Sequence, residues 1–295
     1  MNFVIWIDKI QEGDLSLLNP AINNLAKIYG KLNVLGVVAP QDLSVGKFPK
    51  LKKKNLKKYD FDFVLVGGKN VKFPEVLKEA QSLGLDINKF VLDRTALVPN
   101  FTFEKYKKLR NSKLSILSMN CWGGIVYHRF GLQFLSPTIN MFTTDEYFLK
   151  FLQNPIENAS GDFNLVKTEF ETNLKIDYPV FKIGECEWHM NHYSDFEFAK
   201  QKWRERTQKI NWFNTLVTMY TENPEILAEF DKLPFAKKIC FVPFATDLDS
   251  GYYLDLNKFL NKPELWQVVN GTATGNVPFY DVWDMLLYGK KTVLV

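Results

Sequence analysis

Residues 114–132 read LSILSMNCWGGIVYHRFGL, and the succession of residue types here decides the fold class. Residues 114–118 are a short apolar run with the length of a buried strand. Gly123 and Gly124 then punctuate the chain, and 124–130 has the make-up of a short helix. Strand, tight turn and helix together form half of a βαβ unit. The rhythm recurs on both sides. Upstream, strands are predicted at 3–7, 33–38, 61–66 and 90–92, with helices at 15–29 and 74–83 closed by Gly30 and Gly84. A connecting helix follows at 100–112. Downstream, strands are predicted at 138–142, 181–193 (one or two), 216–220 and 238–242. Helices begin at Thr143 and Ser194, each reading as a capping box with Glu146 and Glu197, and others span 225–230 and 280–288. The stretch 154–176 reads as irregular and polar. The expected class is α/β with two domains. Residues 1–110 form a Rossmann-like domain without a dinucleotide fingerprint, and 111–295 form a second α/β domain with a mainly parallel sheet that carries the site.

Size and composition agree with this division. The chain has 295 residues, 46% hydrophobic and 24% charged, and domains usually hold about 100–200 residues. A disordered chain, a collagen and a disulfide scaffold are excluded. No apolar run approaches the roughly 20 residues that a membrane-spanning helix needs, so no transmembrane segment is expected. The start, MNFVIWIDKIQEGD, lacks the features of a signal peptide. Cys121, Cys186 and Cys240 are too few and too scattered for a disulfide framework, which points to a reducing, cytoplasmic setting.

Charge is uneven. Residues 1–112 hold 19 Lys and Arg against 11 Asp and Glu, while 113–295 hold 18 against 22. Seven lysines fall in KFPKLKKKNLKK, 47–58. The expectation is a solvated surface. Nucleic acid is not an expected partner, because Arg94 and Arg110 are the only arginines in this half and bidentate readout relies on arginine. The turn after the first strand, DKIQEGDLSLL, has only Gly13 where a dinucleotide fingerprint needs three glycines. Asp8, Glu12 and Asp14 would repel a pyrophosphate there. No nucleotide is expected in this turn. Docking on the second domain or on another subunit of a homo-oligomer is the expected use of the first domain.

Three segments carry candidate chemistry. The turn at 118–124 places Asn120, Cys121 and Trp122 at the carboxyl end of a strand, where ligands of open α/β sheets bind. Gly123 and Gly124 would expose backbone N–H groups at a helix start, and a thiol at that place can be acidified. The bland reading is a buried cysteine, a packing tryptophan and a glycine turn. In GECEWHMNHY, 184–193, a strand would put Glu185, Glu187, His189 and Asn191 on one face and Cys186, Trp188, Met190 and His192 on the other. Glu187 and His189 lack a third ligand, so no metal is assigned. A Cys121–His192 pair would be a nucleophile and its base, and requires Sγ within about 8 Å of the imidazole. The third segment, NGTATGN at 270–276, could cradle a phosphate but lacks the Walker Gly-Lys-Ser/Thr, and an ordinary loop is expected.

Four blocks, NCWGGIVYHRFGL, SPTINMF, YPVFKIGECEWHMNHY and FAKQKWRERTQKINWFN, resemble the bacterial family called domain of unknown function 1919. With a weaker match through FDKLPFAKKICF, the resemblance covers about residues 113–245. Members carry the label of exopolysaccharide-biosynthesis proteins, and the family brings no established reaction and no cofactor. The first segment resembles a domain that accompanies such proteins in some bacteria. The resemblance implies a site at the motif positions Asn120, Cys121, Trp122, Gly123, Gly124, Tyr127, Ser136, Pro137, Thr138, Asn140, His192, Tyr193, Trp203, Arg206, Asn211 and Asn214. It also implies a link to cell-surface glycans, with a nucleotide sugar or glycan precursor as partner. The leading expectation is a glycosyl or related group transferase. Trp122, Tyr193 and Trp203 would stack on a sugar, Asn120, Asn140 and Asn211 would bind its hydroxyls, and Arg206 would hold a phosphate. Asp247–Leu248–Asp249 matches a metal-binding DxD only by pattern. The alternatives are a Cys121–His192 hydrolase or acyltransferase, and a non-catalytic glycan- or nucleotide-binding protein. On the basic helix, Arg206 is expected half buried beside a carboxylate or anion, with Arg204 in solvent.

Overall fold

The computed structural model describes all residues except 8–14, 41–47, 69, 276–279 and 295. Asp8, Glu12, Gly13 and Asp14 of the first turn, Lys47 of the basic run and Asn276 of the third candidate segment lie outside the described residues. The chain is mixed α/β and divides into two compact units, 1–107 with 129–131, and 108–128 with 132–295.

The first unit is built on a parallel sheet of β1 (Asn2–Ile7), β2 (Asn33–Val38), β3 (Phe63–Gly67) and β4 (Phe90–Leu92), in the order β2-β1-β3-β4. Phe3 to Ile7 are at most 1% exposed, as a central parallel strand covered on both faces requires. Helix α1 (Leu18–Tyr29) returns the chain from β1 to β2 and buries Leu18, Ala21 and Leu25 at helical spacing. Gly30 ends it at φ 78°, a conformation glycine adopts without strain. Helix α2 (Phe73–Ser82) carries Pro74 in its first turn and buries Phe73, Val76 and Ala80. Within the described part of the basic run, 48–58, residues Lys53–Lys58 form a 3-10 turn that buries Leu56, and Lys52, Lys54, Lys57 and Lys58 are exposed. Lys53 pairs with Glu79 at 2.7 Å and lies over the Trp6 ring. Short α3 (Asp93–Ala96) and α4 (Phe103–Asn111) follow β4.

The second unit holds two sheets. The parallel one joins β5 (Ser115–Ser118), β9 (Thr215–Tyr220), β10 (Lys237–Val242) and β11 (Gly251–Tyr253), in the order β11-β10-β9-β5. Between β5 and β9 the chain makes α5 (Trp122–Arg129), α6 (Asp145–Gln153) and α7 (Pro155–Ser160). It then makes an antiparallel sheet of β6 (Phe163–Glu171), β7 (Ile176–Ile183) and β8 (Cys186–His189), followed by α8 (Phe196–Thr207). Helices α9 (Pro224–Asp231), α10 (Leu265–Thr272) and α11 (Val282–Tyr288) complete it. Phe148, Phe151, Phe181, Trp188 and Trp203 join the inner faces of both sheets in one core with Val217 and Met219.

Several local expectations need correction. Residues 138–142 are not a strand, and only Phe142 makes a bridge, to His189. Residues 154–176, expected irregular, contain α7 and all of β6. The two predicted caps each lie one residue early. Thr144 caps α6, because the Thr143 hydroxyl is taken by the Glu187 carbonyl at 2.5 Å. Asp195, not Ser194, caps α8. Residues 265–272, adjoining and overlapping the expected loop, are helical.

Strand β5 is an edge of its sheet, and its outward amides need partners. The Ile116 N–H donates to the Tyr127 hydroxyl at 2.8 Å, and the Ser118 N–H donates to Thr138 Oγ1 at 3.0 Å. These are alternate residues, as the geometry of an edge strand demands. The buried Ser136 hydroxyl in turn meets Thr138 Oγ1 at 3.1 Å. Side chains rather than a fifth strand therefore close this edge.

Candidate functional site

The candidate site grows from the carboxyl end of β5. Asn120 is 6% exposed, and its Oδ1 accepts from the Ser118 hydroxyl at 3.2 Å and from the Trp122 N–H at 3.1 Å. Its Nδ2 donates to Asn270 Oδ1 at 3.2 Å. The buried Trp122 indole donates to Thr272 Oγ1 at 2.9 Å, and that hydroxyl donates to the Val269 carbonyl at 2.7 Å. Helix α10 thus clamps the turn on both sides of Cys121. A Cβ on Gly123 would stand a tight 3.2 Å from the Ile116 and Ser118 side chains, so glycine lets α5 leave the strand without moving them. A Cβ on Gly124 would collide with Asn140 Oδ1.

Cys121 caps α5, its carbonyl accepting the Ile125 N–H at 2.9 Å. Its Sγ lies 3.7 Å from Nε2 of His192, well inside the separation the sequence pairing required. His192 does not lie on a strand. β8 ends at His189, and a turn closed by the Tyr193 N–H on the Met190 carbonyl at 2.9 Å presents the imidazole, which is exposed. The next side chain anchors this turn, with the Tyr193 hydroxyl donating to the Ile139 carbonyl at 3.0 Å.

Burial pushes the Cys121 thiol up to about 11, and the negative charge of Glu171 adds to the rise. The expected acidified thiol is therefore not found, because desolvation outweighs the start of a short helix. Although His192 is exposed as a residue, partial burial of its ring lowers it below its ordinary value, while Glu171 pulls it upward. The resting pair is a neutral thiol beside a neutral imidazole. With its proton on Nδ1, the imidazole presents Nε2 to the thiol as a base. Burial raises the Tyr220 hydroxyl at the end of β9, and charges that include Cys121 contribute.

Other expected site residues have different places. Trp122 is fully buried, Trp203 is 1% exposed and Tyr193 is 7% exposed, so none offers a face to a sugar. Trp203 donates to the Ala159 carbonyl at 2.8 Å and packs against Phe151, Phe163 and Trp188. Tyr127, Ser136 and Thr138 close the β5 edge. Asn211 binds the Lys113 carbonyl through Nδ2 at 3.1 Å and Ser115 Oγ through its backbone N–H at 2.8 Å, at the opposite end of β5 from Cys121. Asn214 likewise holds the Ser112 carbonyl. Arg206 is half-buried but pairs with no carboxylate among the described residues. It donates to the Tyr193 hydroxyl at 2.7 Å and lies over Phe134, so a neutral anchor stands where an ion pair was expected. Arg204 is exposed and lies over Phe163. Asp247 and Asp249 are exposed on the loop after β10. His189 contacts Glu169 at 3.0 Å, and among the described residues no group of three or more His, Cys, Asp or Glu side chains is placed to hold a metal.

Of the expected site residues, His192 meets Cys121, Asn120, Gly123 and Gly124 share its turn, and Asn140 lies against Gly124. Sequence reasoning missed Glu171, which lay in a stretch read as irregular. It also missed the clamp from Asn270 and Thr272, whose segment was read as a loop.

Residues 93–288 match the family described as Domain of unknown function (DUF1919). The chain belongs to this family. The DUF1919 match begins at α3, before the motif-bearing second unit, and ends with α11. A relative from Haemophilus influenzae, described as an uncharacterized protein, is 28% identical over 184 residues, which is 60% of this chain and 84% of that protein. Among the described residues, no helix of this DUF1919 protein is long and apolar enough to cross a membrane.

Proposed function

We propose that this protein is a cysteine-dependent acyl-transfer enzyme, a hydrolase or an acyltransferase, with Cys121 as nucleophile and His192 as base. The observation that carries this reading is the Sγ to Nε2 separation of 3.7 Å at the start of a helix, beyond the carboxyl end of a parallel strand. The thiol proton passes to Nε2 as Sγ attacks an acyl carbonyl. The tetrahedral intermediate expels its alcohol or amine, which takes the proton back from the imidazolium. The thioester left on Cys121 is then attacked by water or a hydroxyl group, with His192 again as base. A neutral imidazole is the form that accepts the first proton. Glu171 favours the charged imidazole that forms when His192 takes this proton.

The resemblance to exopolysaccharide-biosynthesis proteins supplies the substrate class: an acyl group carried to or removed from a glycan or its activated precursor. A reducing cytosol would keep Cys121 as a thiol. Glycosyl transfer through stacked aromatic rings is less well supported, because Trp122, Trp203 and Tyr193 are buried.

The test uses p-nitrophenyl acetate as an acyl donor, followed by intact and peptide mass spectrometry. The wild-type protein should acquire one acetyl group on Cys121. Cys121→Ala should abolish it, and His192→Gln should slow it by roughly 100- to 10,000-fold, the range for loss of general base catalysis. Acetylation that proceeds equally in Cys121→Ala removes the reading.

A further inference from the structure

We infer that Asn140 is the side-chain donor that stabilises the oxyanion formed during acyl transfer on Cys121. The inference rests on the acyl-transfer reading and adds a catalytic residue to it.

Three contacts link the turn at Cys121 to the segments that carry His192 and Asn140. Cys121 Sγ meets His192 at 3.7 Å. The neighbour of His192, Tyr193, holds the neighbour of Asn140, Ile139, through the hydroxyl-to-carbonyl bond of 3.0 Å. The Asn140 carboxamide in turn lies against Gly124, which has no side chain to displace it. Cys121 is the cap of α5, and Gly124 is the third residue after it. Cap and third residue share one face of a helix start, the relation that lets their side chains meet in a capping box. The Asn140 carboxamide oxygen thus occupies the space that a side chain at position 124 would need, on the residue three after Cys121.

The backbone supports the same assignment. Asn140 has φ 57°, the left-handed region, where asparagine is tolerated better than most side chains but not free of cost. Its neighbour Ile139 is 1% exposed and fixed by Tyr193, so the carboxamide is presented from a held backbone although Asn140 itself is exposed. With Oδ1 against Gly124, Nδ2 donates to no residue described in the structure. A primary amide with no protein acceptor among the described residues, packed on the residue three after Cys121, is a group an oxyanion can recruit. As Sγ bonds to the acyl carbon, the carbonyl π electrons move onto oxygen. The two Nδ2 protons offer that oxygen hydrogen bonds absent from the resting thiol. When the leaving group departs, the electron pair returns to the carbonyl and the hydrogen bond weakens.

The test compares two reactions of one thiol. Acetylation by p-nitrophenyl acetate passes through an oxyanion; alkylation by iodoacetamide does not. Asn140→Gly removes the carboxamide and keeps the left-handed backbone. Acetylation of Cys121 in Asn140→Gly should fall by roughly 100- to 1,000-fold, the effect of removing one oxyanion donor. Its alkylation rate and melting temperature should stay at the wild-type values. Equal acetylation in the variant and the wild type overturns the role of Asn140 while leaving the Cys121 nucleophile intact. Parallel loss of acetylation and alkylation also overturns it, by making Asn140 a builder of the turn. Absence of acetylation in the wild type overturns the acyl-transfer reading and this inference with it.

Discussion

Glu171 works on the two halves of the candidate dyad in the same direction, with opposite consequences for their charge. Its carboxylate, held by the Asn173 backbone N–H at 3.1 Å and Nδ2 at 3.2 Å, discourages a thiolate at Cys121 and encourages an imidazolium at His192. Replacing Glu171 by Gln should lower both titrations. The rate of Cys121 alkylation by iodoacetamide, followed from pH 6 to 11, should rise at a lower pH than the wild-type value of about 11. The acid limb of acetylation, set by free imidazole, should also move to lower pH. An unchanged alkylation profile would place Glu171 outside the field of the thiol. At this scale the sequence was partly legible. Cys121 and its two glycines announced a special turn because few other roles need that composition. His192 was selected on the wrong local structure, since β8 ends three residues before it. Trp203 and Arg206 misled for one reason: spacing along a helix identifies a shared face but not whether that face meets a ligand or a core.

At the scale of elements, the antiparallel sheet is held by a charged cluster. Glu169 on β6 contacts Lys167 at 2.5 Å, the Tyr178 hydroxyl at 2.6 Å and His189 Nδ1 at 3.0 Å. The hydrogen bond from Lys167 leads the causes that hold the Glu169 carboxyl at about 2, below its ordinary 4.5. A depressed carboxyl stabilises the folded state above its unfolded value and loses that contribution as pH falls toward the folded one. Glu169→Gln should therefore lower the melting temperature at pH 7. The gap to wild type should narrow between pH 4.5 and 2 and close at the acid end. A gap that persists unchanged to pH 2 would mean that Glu169 acts through packing alone. The strand bearing this cluster was the largest element missed in the sequence. β6 runs mostly exposed, including Leu165, Val166 and Phe170, so FNLVKTEFE shows no contrast between a wet and a dry face. The parallel strands were readable because they are buried on both faces and bounded by Gly and Pro. The caps at Thr144 and Asp195 were missed by one residue, because adjacent polar side chains compete and only the folded geometry selects between them.

At the scale of the whole molecule, the three free cysteines give a simple count. Cys186 and Cys240 are fully buried, whereas Cys121 is half-buried beside an exposed imidazole. A thiol-specific disulfide reagent should titrate one sulfur per native chain and all three after denaturation. The native sulfur should disappear in Cys121→Ala. Two reactive sulfurs in the folded protein would contradict the burial that separates Cys121 from the others. The α/β class and the division into two units followed from alternating elements along the chain. The site did not, because its parts come from residues 71 and 150 positions apart, and no local pattern encodes such a meeting.

The clamp from α10 also has a meaning in time. Trp122 is joined to Thr272 across 150 residues, and Asn120 to Asn270 across the same interval. A ribosome adding about 5–20 residues per second needs roughly 8–30 s to travel from one to the other. Throughout that interval the nascent chain carries Cys121 on a turn whose two outer fastenings do not yet exist. The turn that carries Cys121 is thus fastened late in synthesis, and unfinished chains lack both of these supports.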